Sequence, residues 1–262
     1  MGVVGRVESV WRYPVKSMRG EKLDSAFVGF AGVYGDRLYA FRNSVADTGF
    51  PYLTAREYVQ LLLHQPRFRH PEKALGPPNL AEAEHLAPGL TPVYASMDDL
   101  AVDVETPEGA VVAIDSATLR ERLGKAEGAG ELTLLKSDRA MTDCRPVSLI
   151  STQTVAALGE EVGKSLDQRR FRANIYVDLV GAAGSAEDAF VGKTLKIGAK
   201  AKIAVLERDP RCKMITLDPA DGQASPEVLE TVARAHEGRV GVYAAVLVEG
   251  TIRPGDEVLL LN

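Results

Sequence analysis

The chain has 262 residues, 45% hydrophobic and 26% charged, with 31 Lys and Arg against 36 Asp and Glu for a net charge of −5. That length suits one large domain or two small ones, and roughly 75% of the unfolded surface can be buried without help from a disulfide or structural metal. The acidic balance argues against a general nucleic-acid binder, and no apolar run approaches the ~20 residues of a membrane span. Two cysteines, Cys144 and Cys212, cannot frame a disulfide scaffold or a four-cysteine zinc site. The N-terminus carries Arg6 and Glu8 in strand-like alternation, unlike a signal peptide, so the default address is the cytoplasm.

In chain order, GRVESVWRYPV, KLDSAFVGF and GVYGDRLYAFRN alternate apolar and polar residues between glycines, which predicts antiparallel strands. Thr54 is a possible cap before the apolar TAREYVQLLL. The six prolines between Pro66 and Pro92 predict an irregular excursion with no packed core. DLAVDVETPEGAVVAID reads as a hairpin turning at Pro107-Glu108-Gly109. A short helix capped by Asp115 or Ser116 follows, then the strand ELTLLKS at 131–137. Beyond about residue 138, helices are expected from Ser151 to Gly163 and over SPEVLETVARAHEG, with Pro226 in its first turn. RRFRANIYVDLV, KTLKIG, AKIAVLER, GVYAAVLVEG and DEVLLLN read as strands. Strands outnumber helices without alternating with them, which favours a barrel-rich, mostly β α+β fold over a doubly wound one.

Several familiar motifs fail. GEEVGKS (159–165) lacks the first glycine of a phosphate-binding loop, because position 158 is leucine, and it follows a helix. Gly29, Gly32 and Gly35 have the wrong spacing for a dinucleotide fingerprint. No G-x-S-x-G elbow is present. The four histidines, His64, His70, His85 and His236, are too scattered for a zinc site.

Three segments carry chemistry. YPVKSMRG (13–20) presents Lys16 and Ser17 together at the end of a strand. RRFRANI (169–175) gathers three arginines around one aromatic, followed by Asn174. In RDPRCKMITLDP (208–219), Cys212 sits between Arg211 and Lys213. The plain alternatives are solvated strand edges for the arginines and a small buried hydrophobe for Cys212. Taken together, a cysteine between two cations is expected to be poised as a thiolate, a soft ligand for a heavy metal or a sulfur nucleophile. Arginines and a Lys-Ser pair make a cradle for a phosphate. An anionic, metal-bearing cofactor fits both.

These residues resemble the MOSC family, named after the C-terminal domain of molybdenum-cofactor sulfurases, and within it the branch of the mitochondrial amidoxime-reducing component and its bacterial relatives. YPVKS, Asp36-Arg37 and TAR at 54–56 match the N-terminal barrel of that branch. The segment from Asp143, RRFRANI, PRC with T-x-D-P, and GTIRPGD match the MOSC domain. The family often has a proline where Ala173 stands and a hydroxyl residue where Cys144 stands. The resemblance implies an N-terminal β-barrel-like domain over 1–120 and a MOSC β-barrel with peripheral helices over 121–262. A molybdenum cofactor would lie between them, with Cys212 as the metal ligand and catalytic centre. Lys16, Ser17, Arg37, Arg172 and Asn174 would anchor the cofactor, and Arg211, Asp143 and Tyr243 would complete its pocket. The implied activity is reduction of small N-hydroxylated or N-oxygenated compounds. The rival is a sulfur carrier, or a protein that binds and delivers the cofactor without redox catalysis of its own; a blander possibility is an interaction barrel that keeps the cradle unused. Two cysteines 68 residues apart cannot hold an iron–sulfur cluster, and the chain ends at Asn262 straight after its last strand. A separate electron-transfer protein is therefore expected, ferredoxin-like, flavoprotein or cytochrome b5-like.

Overall fold

The computed structural model describes residues 2–86, 93, 95–126 and 128–261. The chain opens with β1 (Gly2–Arg12), β2 (Glu21–Leu23), β3 (Ala26–Gly29), β4 (Gly32–Val33) and β5 (Tyr39–Asn43). Next come β6 (Gln65–Phe68), α1 (Leu80–His85), β7 (Val102–Glu105), β8 (Val111–Ala113), α2 (Ala117–Leu123) and β9 (Leu132–Lys136). The remainder begins with β10 (Val147–Ser151), α3 (Thr152–Val162), β11 (Ile175–Leu179), β12 (Thr194–Ile197) and β13 (Ala201–Pro210). It ends with α4 (Pro226–Ala235), β14 (Arg239–Val248), β15 (Gly250–Ile252) and β16 (Glu257–Leu261).

Seven strands close into a barrel in the order β11-β10-β14-β13-β12-β16-β1, with β1 pairing back onto β11. Their neighbours run antiparallel except β10 and β11, which are parallel; a parallel pair needs a crossover, and α3 supplies it. A bulge between Val7 and Ser9 shifts the alternation of β1. β1 pairs with β11, β16 and β2, and Val7 and Val10 both point into the barrel with Leu149, Ile175, Ile203 and Val242. The helices α3 and α4 pack outside, over Ile150, Leu158, Phe171, Tyr176, Val228 and Val232.

The first half builds three small sheets, β15-β3-β4, β5-β9 and β6-β7-β8, around a second core that includes Leu38, Phe41, Leu61, Leu100 and Leu119. The halves exchange strands. The first strand of the chain belongs to the C-terminal barrel, β9 pairs with β5, and β15 pairs with β3. A division near residue 120 therefore follows chain order, whereas the sheets cross it.

Three local expectations are corrected. The segment 66–92 is not wholly irregular: Pro66 lies in β6 opposite Val104, tolerated because β6 is an edge strand. Phe68 and Ala74 join the core, and Pro88 and Pro92 lie outside the described residues. Gln168–Phe171 forms a 3-10 turn rather than the start of a strand, because Asp167 caps it by accepting from the Arg169 N–H at 2.9 Å. The strand at YPVKS stops at Arg12, two residues early. Elsewhere the caps fall as read: Ser116 accepts from Leu119 N and Ser151 from Thr154 N.

Candidate active site

The turn after β1 is organised by a buried carboxylate. The Tyr13 N–H donates to Asp36 Oδ1 at 2.7 Å, and the other Asp36 oxygen pairs with the Arg37 guanidinium. The Arg37 N–H in turn donates to the Tyr13 carbonyl at 2.7 Å. Ser17, Arg37 and Arg172 adopt φ of 66°, 49° and 50°. Such left-handed backbone costs a non-glycine residue roughly 1–3 kcal/mol and persists only where the surroundings enforce it. Among the described residues five non-glycine positions do this, and three of them meet at one place.

That place is a cleft between the barrel and the first-half core. All nine residues picked from the sequence line it: Lys16, Ser17, Arg37, Asp143, Arg172, Asn174, Arg211, Cys212 and Tyr243. Four further cation and carboxylate positions escaped notice there, Arg56, Arg145, Arg170 and Asp209, together with Phe50. Arg56 stood within TAR and Asp209 within RDPRC, so their strings were visible but not their direction. The cleft thus gathers seven cationic side chains against two carboxylates, in a chain whose net charge is −5.

The cations are held in two ways. Lys16 Nζ donates to the Met141 carbonyl at 3.0 Å, pairs with Asp143, and sits 4.7 Å from the Tyr52 ring centroid. Arg172 Nη1 donates to the Met18 carbonyl at 2.7 Å, while its Nη2 is buried with no partner. Arg37 Nη2 donates to the Arg172 carbonyl at 3.2 Å. By contrast, Arg170 is consumed by the Thr216 carbonyl at 2.9 Å and by Asp218 at 2.6 Å. Arg211 donates to the Val240 and Phe171 carbonyls at 2.7 and 2.9 Å and pairs with Asp209 at 2.9 Å, although its Nη2 and the Nε of Arg170 are, like Arg172 Nη2, buried without a hydrogen-bond partner. Gly241 makes room for it: at φ 76°, a Cβ there would meet Arg211 Nη2 at 3.0 Å. Asn174 is also largely committed, its Oδ1 accepting from Ser148 N at 3.2 Å and its Nδ2 donating to the Trp11 carbonyl at 3.3 Å. One amide hydrogen remains for the cleft.

Crowding shows in the titrations. Burial lowers the Arg172 pKa to about 10, and the nearby Arg37 adds to the drop. Burial likewise lowers Lys16, with Asp143 opposing. Burial works to raise Asp143, but Lys16, Arg37 and Arg172 outweigh it and hold the carboxyl below its ordinary value. Burial raises the Tyr243 phenol, and Asp209 adds to the rise, so the O–H stays protonated. Burial also raises Asp209 itself, against the pull of Arg211.

Cys212 is exposed, just beyond the end of β13. Its cationic neighbours in sequence do not serve it as expected. Arg211 is spent as described, and Lys213 Nζ donates to the Arg56 carbonyl at 2.9 Å. The positive surroundings of the cleft come instead from residues distant in sequence. Cys144 is also exposed, with its Sγ 3.7 Å from Glu207 Oε1; burial and Glu207 raise its thiol.

The sequence matches two known domain families. Residues 4–118 match the MOSC N-terminal beta barrel domain and residues 136–259 match the MOSC domain. The chain belongs to the MOSC family. It is similar to the molybdenum cofactor sulfurase of Drosophila melanogaster, 31% identical over 143 residues, which are 51% of this chain and 18% of the sulfurase. It thus spans less than a fifth of the length of that relative. It is also similar to mitochondrial amidoxime reducing component 2 of Bos taurus, 26% identical over 97% of this chain and 83% of that protein. The crystal structure of the YUAD protein from Bacillus subtilis aligns over 97% of this chain and 94% of that one, with a TM-score of 0.48 and 12% identity.

Proposed function

We propose that the chain is a molybdenum-cofactor-dependent oxidoreductase that reduces N-hydroxylated or N-oxygenated compounds, with Cys212 as the protein's metal ligand. The carrying observation is that an exposed cysteine opens onto a cation-rich cleft where the buried Nη2 of Arg172 has no partner. The residues fit such a cofactor. Among the described residues no three His, Cys, Asp or Glu side chains group closely enough to hold a metal. A metal at Cys212 would take its other ligands from the cofactor, whose phosphate suits the free donors of Arg172, Arg37 and Lys16.

When bound, the cofactor supplies two-electron redox chemistry. The chain supplies placement and charge. Lys16, Arg37 and Arg172 hold the anionic end, Ser17 and the last amide hydrogen of Asn174 add donors, and Asp143 fixes the Lys16 ammonium. Arg211 braces the wall that carries Cys212. Phe50, Phe171 and Ile215 give the cleft apolar surface, and the protonated Tyr243 hydrogen-bonds Asp209. For an amidoxime the balance is one N–O bond broken, two electrons and two protons taken up, and one water released. The electrons come from a separate ferredoxin-like, flavoprotein or cytochrome b5-like partner, since the chain shows neither a cluster motif nor a dinucleotide fingerprint.

The test is molybdenum and pterin content of protein made in a cofactor-competent host, followed by amidoxime reduction with reduced viologen. Near-stoichiometric metal and turnover are expected, with no turnover on NADH or NADPH alone. Steady NADH-driven reduction by the pure chain would sink the reading. A second reading, a sulfur carrier or cofactor-delivery protein, is favoured by the exposure of Cys212. Bound cofactor with no amidoxime turnover, or a persulfide on Cys212, would select it.

A further inference from the structure

We propose that Tyr13 is a positioning residue, the aromatic plate on which the guanidiniums of Arg37 and Arg172 are aligned to grip an anionic group. The inference rests on the reading of the cleft as a cofactor site. The Arg172 guanidinium carbon lies 4.3 Å from the Tyr13 ring centroid and that of Arg37 lies 5.0 Å from it. Both fall inside the ~6 Å range over which a ring face attracts a cation. Two guanidiniums on one ring also repel each other, and burial leaves little water to screen them. The negative faces of the ring offset that repulsion before any anion arrives.

The plate itself is fixed on every side. Tyr13 is buried, and its O–H donates to the Ala173 carbonyl at 3.3 Å. Its N–H is tied to Asp36, and its carbonyl accepts from Arg37 N. Gly20 closes over the ring, where a Cβ would sit 2.4 Å from Cε1 and 2.6 Å from Cδ1; only glycine permits that approach. Arg37 is also anchored at both terminal nitrogens, by Asp36 and by the Arg172 carbonyl, and Arg172 at one, by the Met18 carbonyl. What the ring adds is the orientation of the planes, and the free Arg172 Nη2 is what the orientation leaves available. A tetrahedral phosphate matches such a paired fork in charge and geometry. An aliphatic side chain would fill the same space and orient nothing.

The experiment compares Tyr13→Phe, Tyr13→Leu and phenylalanine analogues of rising ring fluorination placed at position 13. One readout is calorimetric titration of inorganic phosphate into the cofactor-free protein. The other is pterin retained through dialysis by protein from a cofactor-competent host. Tyr13→Phe should bind phosphate within about twofold of wild type, and Tyr13→Leu about tenfold more weakly, the range of one cation–π contact. Affinity should fall stepwise with fluorination, which drains the ring face at nearly constant shape. A purely packing role would not produce that trend. A flat fluorination series overturns the proposal, and the series decides even where Tyr13→Leu fails to fold. Tyr13→Phe binding as poorly as Tyr13→Leu would also overturn it, by assigning the effect to the hydroxyl. Wild type that binds phosphate but never carries pterin would refute the cofactor reading and leave the clamp standing. Wild type that takes up neither would refute both.

Discussion

Two groups of cations share one cleft and do opposite work. Around Tyr13, Lys16, Arg37 and Arg172 sit on aromatic faces, and Arg172 keeps a buried donor in reserve. Around Cys212, Arg170 and Arg211 spend their guanidiniums on carbonyls and carboxylates of the protein. On the function proposed above, the first group would grip the ligand and the second would hold the wall that carries the thiol. Composition alone scores all of them as positive charge. What sets Arg172 apart among the described residues is that no carboxylate pairs with it, whereas Arg170 and Arg211 pair with Asp218 and Asp209, although Arg170 Nε and Arg211 Nη2 are likewise buried without a hydrogen-bond partner.

The largest effect expected is at Cys212, the proposed metal ligand. Cys212→Ala should lose essentially all molybdenum and amidoxime reduction while leaving thermal stability nearly unchanged, because the side chain is exposed. Retention of most of the metal would move the ligand elsewhere. Cys144→Ala should be mild, since its exposed thiol makes a long contact, 3.7 Å, with the exposed Glu207 side chain. Complete loss there would point to a two-cysteine mechanism.

Next come the two arginines that best define the contrast. Arg172→Ala should weaken cofactor retention by about 10- to 100-fold, since a charge-assisted contact is worth ~1.5–3 kcal/mol, with a modest effect on the melting temperature. Arg211→Ala should do the reverse. It strips the partner from buried Asp209, and breaking a buried pair costs ~3–5 kcal/mol of stability. Pterin per protein after dialysis and denaturant midpoints read the two effects separately. Should both variants lose pterin equally at unchanged stability, the division into clamp and brace would be wrong.

Much of this was legible beforehand, and the reason differs from residue to residue. Cys212 and Lys16 stand out because their strings, PRC and YPVKS, carry chemistry in short range, whereas Arg37, in DR, is marked only by the family resemblance. The helices ending in Gly163 and starting at Pro226 were legible because caps are local. The roles of Arg170 and Arg211 are not, since Asp218 lies dozens of positions from the one, and the carbonyls that hold the other, Phe171 and Val240, are as remote, although Asp209 is close by. Tyr13 was passed over for the same reason. Its importance arises from two arginines, 37 and 172, that the fold brings to one ring. The strand at 65–68 was hidden by Pro66, whose missing N–H matters only if the strand is central. That it is an edge is a fact of the sheet and not of the segment.

The smallest effect expected is at Asp209, and it changes with pH. Burial raises its carboxyl above the ordinary value, despite Arg211 and the hydrogen bond from Ser148 at 2.9 Å. A folded-state pKa above the unfolded one means that folding favours the neutral acid. The stability gained this way is fully present below the unfolded value of about 3.8 and is lost as pH rises through the folded value. At neutral pH the ionised group is therefore a net cost to the cofactor-free protein. Asp209→Asn removes the charge at nearly constant shape and keeps an acceptor for Ser148. It should be slightly more stable than wild type at neutral pH, with the advantage shrinking as pH falls toward the acid range. Combined with Arg211→Ala, it should recover most of what that single change loses, because no buried carboxylate is left uncompensated. Denaturant midpoints of the four proteins at neutral and acidic pH give the answer. If Asp209→Asn is less stable than wild type at neutral pH, the ion pair beside Cys212 contributes more than its burial costs, and the rim is held by attraction as much as the clamp is.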